Sequence, residues 1–349
     1  MTNILARFTQ LVVFASCATL GSGIIFAQSP LDWKTAQHFD TGIKSSVAVI
    51  PSGLVVEFHR SEHNNSKVWY HIGRTGRTWD GQDYVRWGPS HPTDYVGDMP
   101  FVAVTREGYV LMVYTRYTYT GYKGTTMRYF VGKLDPQGDT KQTISWQIED
   151  AFFDTGQFAR LSFNSNDVLV ETHESANNSG IFYRIGHFRN AVENDFTLVW
   201  DSTNGIGGVK YDEGVSPAIS INDKNQVIEC HRDSSNRRRV HYHRGTLNSN
   251  RISFAGDRPV VYDNDASQPS VALTDKSVAM EADIKNDYTF ARVGVLNSND
   301  PSRVDWSNPV SIGWDGWKSV DPTIATNGSV AIATWASNDN LFYSVAAVK

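Results

Sequence analysis

The segment Gly53-Leu54-Val55-Val56-Glu57-Phe58-His59 recurs as Asp167-Val168-Leu169-Val170-Glu171-Thr172-His173 and as Gln226-Val227-Ile228-Glu229-Cys230-His231. Degenerate copies run over 108–114, 277–283 and 329–335. The six copies end at 59, 114, 173, 231, 283 and 335, at separations of 55, 59, 58, 52 and 52 positions. Two further segments keep step. A strand ending in a small residue follows each copy, as in Val68-Trp69-Tyr70-His71-Ile72-Gly73, Ile181-Phe182-Tyr183-Arg184-Ile185-Gly186 and Val240-His241-Tyr242-His243-Arg244-Gly245. An aromatic-Asp-x-Gly turn precedes it, as in Phe39-Asp40-Thr41-Gly42, Phe153-Asp154-Thr155-Gly156 and Tyr211-Asp212-Glu213-Gly214, with weaker forms at 95–97, 262–265 and 314–316. Six β-rich units of this length, each too small to bury its own faces, predict an all-β, six-bladed β-propeller built of four-stranded antiparallel blades.

The fourth repeat shows how one unit becomes a blade. Pro217 to Ile221 reads as the inner strand, Asn222-Asp223-Lys224-Asn225 as a hairpin turn, Gln226 to His231 and Val240 to Gly245 as the second and third strands, and Ile252 to Phe254 as the outer strand. The sixth repeat stops after its third strand. Leu31-Asp32-Trp33-Lys34 resembles the outer-strand segments Ile144-Ser145-Trp146-Gln147 and Val304-Asp305-Trp306-Ser307, so an N-terminal strand is expected to complete the last blade and close the ring. Residues 28–349 then form one propeller domain.

Residues 1–27 read as an export leader. Arg7 gives positive charge, Leu11 to Ala15 and Ile24 to Phe26 are apolar, and Ala27-Gln28 suits cleavage. The protein is expected to be exported, secreted or periplasmic, and lipid attachment at Cys17 stays open. Without the leader Cys230 is the only cysteine, so no intrachain disulfide is expected. The 15 Tyr, 17 Phe and 10 Trp suit half-buried strands, and the formal charge of −5 gives no reason to expect nucleic acid. No stretch beyond the leader is long and apolar enough to span a membrane as a helix.

Loops joining outer to inner strands share a face with loops joining second to third strands. Asp40, Asp154 and Asp212 are therefore expected on one face with His59, His173 and His231, and that face is the expected ligand-binding side. The same repeated residues also suit hydrogen-bonded groups that fix one blade against the next. Departures from the repeat point more directly to function. Tyr114 replaces His and opens the Tyr-rich segment Thr115 to Tyr122, which carries Arg116. Arg160 stands where other repeats have Phe101, Ala218, Ser270 and Thr323, and is expected at the mouth of the central channel to meet an anionic or hydroxyl-rich ligand. Asn64-Asn65-Ser66 and Asn177-Asn178-Ser179 lie in equivalent loops and suit either sugar hydroxyls or ordinary turns. His59 and His63, four apart where a strand meets a loop, are weak metal ligands, so no metal or other cofactor is expected. Arg237-Arg238-Arg239 reads as a solvated turn, and no nucleophile elbow, phosphate loop or dinucleotide fingerprint is present.

The joint pattern of Tyr-Asp-x-Gly, Pro-x-Val-Ala, Val-x-Glu-x-His and Trp-Tyr-x-x-Gly resembles a group of secreted microbial propeller repeat proteins over residues 29–349. The resemblance implies a fold and export rather than a reaction. More distantly the architecture is similar to propeller lectins, sialidases and polysaccharide lyases, though the Ser-x-Asp-x-Gly-x-x-Trp box of sialidase blades is absent. The expected function is a lectin-like protein binding carbohydrate or polysaccharide, with Asp, His, Asn and aromatic groups as contacts. The alternative is a lyase on uronic-acid polysaccharide, with Tyr114 or His173 taking the proton and Arg160 or Arg116 neutralising the acid. A protein-binding scaffold is the third reading.

Overall fold

The computed structural model describes residues 31–62, 66–117, 125–176, 180–190, 196–201, 208–236, 238–313 and 318–348. These form six antiparallel sheets, each of four main strands, arranged in a ring, with no helix among the described residues. Blade 1 runs Ile43–Val49, Leu54–Arg60, Lys67–Arg77 and Asp83–Val96 from the axis outward. Blade 4 runs Val215–Ile221, Gln226–Arg232 and Val240–Asn248, and its outer strand is split into Arg251–Phe254 and Val260–Asp263, both paired with the third strand. The outer strands of blades 3 and 5 are split in the same way.

A strand alternates its side chains between two faces, and here each face of a blade packs on a neighbour. Val56 and Phe58 join Val102, Met112 and Phe130 between blades 1 and 2, while Val55, one residue away, joins Val330, Ile332 and Val345 between blades 6 and 1. Every junction carries its own apolar core. Continuous hydrophobic runs such as Leu54-Val55-Val56 follow from this two-sided burial.

The small residue closing each third strand makes room for an outer-strand aromatic. A Cβ on Gly73, Gly132, Gly186 or Gly294 would lie 2.6 to 2.9 Å from an atom of Trp87, Trp146, Trp200 or Trp306. Trp33 plays this part for blade 6, packing on the core between blades 5 and 6.

Ring closure follows the expectation with one shift. The hydrogen-bonded outer strand of blade 6 is Gln37–Thr41, with Gln37 opposite Tyr343 and Thr41 opposite Asn340. Leu31-Asp32-Trp33-Lys34 runs beside the same third strand, held by Lys34 N–H to Val345 O (2.9 Å) and Ser344 Oγ to Lys34 O (2.5 Å). It matches the first piece of a split outer strand and Gln37–Thr41 the second. The aromatic-Asp pairs expected in turns are likewise strand residues: Phe39-Asp40, Phe153-Asp154, Tyr211-Asp212 and Tyr262-Asp263 end outer strands. Their alternation already buries the ring against the blade, and the Asp then caps the turn. Asp40, Asp154 and Asp212 each accept the next residue's N–H at 2.7 to 2.8 Å.

Each inner strand carries a bulge at the same point, between Ile43 and Ser46 in blade 1 and between Val320 and Thr323 in blade 6, for example. The residue inside it is Lys44, Met99, Phe158, Ser216, Gln268 or Asp321, and all six have φ between 51° and 57°. Four of them precede proline, which disfavours right-handed helical backbone at that position. At the opposite end of the channel the hairpin turns of all six blades line a cavity of about 360 Å³.

Candidate functional site

The sequence motifs converge because the turn glycine lies flat against the ring that ends the second strand. A Cβ on Gly42 would sit 2.6 Å from His59 Cδ2, one on Gly156 3.0 Å from His173 Cδ2, and one on Gly214 2.6 Å from His231 Cδ2. In blade 2 the ring is Tyr114, 2.0 Å from the equivalent point on Gly97. Aromatic-Asp-x-Gly and Glu-x-His are thus the two halves of one packed unit.

In blades 1, 3, 4 and 5 a polar third-strand residue lies directly opposite the signature glutamate: His71 opposite Glu57, Arg184 opposite Glu171, His243 opposite Glu229 and Arg292 opposite Glu281. In blade 1, His59 Nδ1 lies 3.0 Å from Glu57 Oε2, and His71 Nε2 lies 2.7 Å from Asp40 Oδ2. His59 Nε2 faces the same Asp40 oxygen at 3.8 Å. Blade 4 repeats this, with His231 Nδ1 3.1 Å from Glu229 Oε2, His243 Nε2 2.7 Å from Asp212 Oδ2, and His231 Nε2 3.7 Å from that oxygen. Burial disfavours a charge on Asp40, but the His71 hydrogen bond, the Thr41 N–H and His59 outweigh it and hold the carboxyl at about 2. Burial likewise disfavours a charge on His71, and the Asp40 hydrogen bond with the Glu57 carboxylate carries its pKa above the ordinary imidazole value.

In blades 3 and 5 an arginine takes the place of the second histidine. Arg184 reaches Asp154 at 3.3 Å. Arg292 reaches Asp263 at 2.7 Å, Asp283 at 2.6 Å and Glu281 at 3.0 Å. The expected face is formed, with Asp40 beside His59 and Asp212 beside His231. The histidines are interior groups: His59, His173 and His231 are 2%, 1% and 0% exposed. His71, Arg184 and His243 fall within the third-strand segments evident in the sequence, with no role apparent there, and Arg292 holds the same place in blade 5.

Blade 2 departs from this scheme and opens a pocket. Val96 replaces the turn aspartate, and the missing carboxylate is supplied by Asp150, in the outer strand Ser145–Thr155. Tyr114 donates its phenol proton to Asp150 Oδ1 at 2.6 Å, and Arg116 reaches Asp150 Oδ2 at 3.2 Å. Burial, and then the Asp150 carboxylate, push the Tyr114 phenol well above its usual pKa, so it stays protonated. Across the pocket Arg60 pairs with Asp98 at 3.2 Å, and Tyr117 donates to Asp98 Oδ2 at 3.2 Å. These groups and Tyr95 line a cavity of about 650 Å³ between blades 1 and 2, on the face that carries the Asp-His units.

Arg160 and His173 do not line that pocket. Arg160 stacks 4.8 Å over the Phe101 ring and donates to Ala159 O at 3.2 Å. Burial pulls its pKa down to about 10, opposed by Asp321. His173 Nδ1 lies 3.0 Å from Glu171 Oε1. Asp321 belongs to a rim that sequence reading missed, where Lys44 pairs with Asp321 at 2.8 Å and Gln268 donates to it at 3.1 Å, linking the bulges of blades 5, 6 and 1. The recurring residue before Pro100, Pro217, Pro269 and Pro322 was its signal. Residues 1–27 with Cys17, His63 and Asn64-Asn65, Thr118 to Tyr122 of the Tyr-rich segment, Asn177 to Ser179, Arg237 and the 314–316 turn lie outside the described residues.

The fold defines the class: a six-bladed β-propeller. No protein-family model and no curated protein sequence matches the chain. Solved structures share its architecture at low identity. A protein of unknown function from Dyadobacter fermentans DSM 18053 is 10% identical, with 90% of this chain and 99% of that one aligned and a TM-score of 0.56. An alpha-L-arabinanase of Penicillium chrysogenum complexed with arabinobiose is 10% identical over 90% and 98% of the two chains, with a TM-score of 0.51. A Hadza microbial sialidase is 9% identical over 88% and 66%, with a TM-score of 0.54. At these identities the likeness is one of fold.

Proposed function

We propose that the protein is an exported, lectin-like propeller that binds carbohydrate in the pocket between blades 1 and 2. The observation that carries this reading is the make-up of that pocket: phenols of Tyr95, Tyr114 and Tyr117 beside the Arg60–Asp98 and Arg116–Asp150 pairs. Sugars present flat C–H faces edged by hydroxyls, and tyrosines with fixed charged hydrogen-bonding groups suit both features. The Tyr114 phenol, its single proton given to Asp150, fixes that carboxylate in the pocket and is not a proton acceptor. This favours recognition over a lyase reaction, as does the separation of His173 and Arg160 from the pocket. Propellers named as an arabinanase and a sialidase show that sugars fall within the repertoire of the fold, though fold alone assigns no ligand. Export rests on the leader-like residues 1–27.

A glycan array probed with the mature protein, followed by titration of the best binder, tests the proposal. Tyr114→Phe and Arg116→Ala are expected to weaken binding by about tenfold each, the loss of one hydrogen bond to a charged or polar partner. Unsaturated uronate released from acidic polysaccharide would replace the lectin reading with the lyase one. Retained affinity in both variants would move the site elsewhere on the ring.

A further inference from the structure

We propose that Asp40, His59 and His71 in blade 1, and Asp212, His231 and His243 in blade 4, are twin metal sites that bind zinc. In each, one carboxylate oxygen and two imidazole nitrogens lie within 4.8 Å of one another. Two nitrogen donors and one carboxylate suit zinc over calcium or magnesium, which take oxygen ligands.

The geometry fits with a small shift of the carboxylate. Around tetrahedral zinc, with ligands at about 2.0–2.1 Å, ligand atoms stand roughly 3.3–3.4 Å apart. In both sites the carboxylate oxygen lies 2.7 Å from one Nε2 and 3.7 to 3.8 Å from the other, values on either side of that spacing. Moving the carboxylate about half an ångström toward the farther histidine equalises them.

Hydrogen bonding also points to a cation. A carboxylate only accepts, so the Glu57 and Glu229 contacts place a ring proton of His59 and His231 on Nδ1, and in the neutral imidazole Nε2 then carries the lone pair. His231 Nε2 is buried, has no hydrogen-bond partner and faces the Asp212 carboxylate. Two acceptors facing each other in the interior are unfavourable unless a proton or a metal ion lies between them, and a metal ion satisfies both at once. The Glu57 and Glu229 carboxylates, and Gly88 O at 3.1 Å from His71 Nδ1, are the outer partners that orient metal-ligating histidines. His243 Nδ1 has no such partner.

The other blades supply an internal comparison. Where the third strand carries Arg184 or Arg292, a guanidinium meets the turn aspartate. Where it carries histidine, the aspartate meets an imidazole, which can exchange its proton for a metal ion as a guanidinium cannot. The two histidine blades, 1 and 4, stand opposite each other in the six-membered ring. Asp40 and Asp212, with side chains 26% and 21% exposed, open each site to solvent, which completes the coordination.

The full chain, stripped with a chelator and dialysed, is titrated with zinc chloride by calorimetry, and bound metal is counted by mass spectrometry. The expected result is two equivalents with a rise in melting temperature. His71→Arg and His243→Arg install the residue that blades 3 and 5 already accommodate. Each is expected to remove one equivalent, and the double variant both, while circular dichroism shows the fold retained. Glu57→Gln is expected to weaken one site about 10- to 100-fold. If the arginine variants do not fold, His59→Gln and His231→Gln carry the same count. Failure of the wild-type chain to take up zinc, or uptake unchanged in the double variant, overturns the proposal.

Discussion

Asp167 shows how a single residue can carry pH dependence far from the candidate site. It opens the second strand of blade 3 in a left-handed turn, φ 56°, where burial and the Glu107 carboxylate push its pKa up to about 6, against the pull of Lys133. A carboxyl whose folded pKa is raised holds its proton in the native state at a pH where the unfolded chain has released it. Its unfavourable contribution therefore grows as pH rises from about 4 to 6 and stays complete above that. Asparagine tolerates the same left-handed backbone and carries no charge. Asp167→Asn is expected to stabilise the protein at pH 7.5 by about 1 kcal/mol after solvent screening, with the gain vanishing near pH 4. Urea titrations at the two pH values measure this, and an equal effect at both would exclude the charge argument.

At the scale of elements, the packed unit of turn glycine, second-strand ring and third-strand cation explains why three separated motifs repeat together. Gly214 faces His231 with no room for a methyl group. Gly214→Ala is expected to cost about 1–3 kcal/mol, the range for overpacking a filled interior, read as a lower urea midpoint with unchanged slope. Stability equal to wild type would mean that the ring moves aside freely. The strands and bulk of each blade were legible in the sequence because the Glu-x-His alternation and the closing glycine report directly on local packing. The third-strand partner was not, because it is fixed by hairpin register and the hairpins differ in length. Glu57 meets His71 and Glu229 meets His243 at a spacing of 14, but Glu171 meets Arg184 at 13 and Glu281 meets Arg292 at 11, so no one sequence spacing marks the pair in every blade. The Tyr114 pocket was legible in part. The replacement of histidine by tyrosine at 114 was visible, but Asp150 comes from an outer strand in a different register position from the missing turn aspartate.

The whole molecule is a ring whose six apolar junctions are similar and whose chemistry is not evenly distributed. Blades 1 and 4 carry the paired histidines, blades 3 and 5 the arginines, and blade 2 the pocket. Ring closure depends on Gln37–Thr41 and the flanking Trp33, which complete blade 6 from the other end of the chain. That seam has a mechanical consequence. Gln37 lies opposite Tyr343, and Lys34 beside Val345, so the two chain ends leave blade 6 side by side. A force applied between them opens the antiparallel ladder one hydrogen bond at a time instead of loading all its bonds in parallel. In a single-molecule pulling experiment the first event is therefore expected to be the low-force peeling of Gln37–Thr41 from Asn340–Ala347, followed by blades released in order from the seam. Anchoring the molecule within blades 2 and 5 instead leaves the seam out of the direct load path, and a higher first force is expected from that geometry.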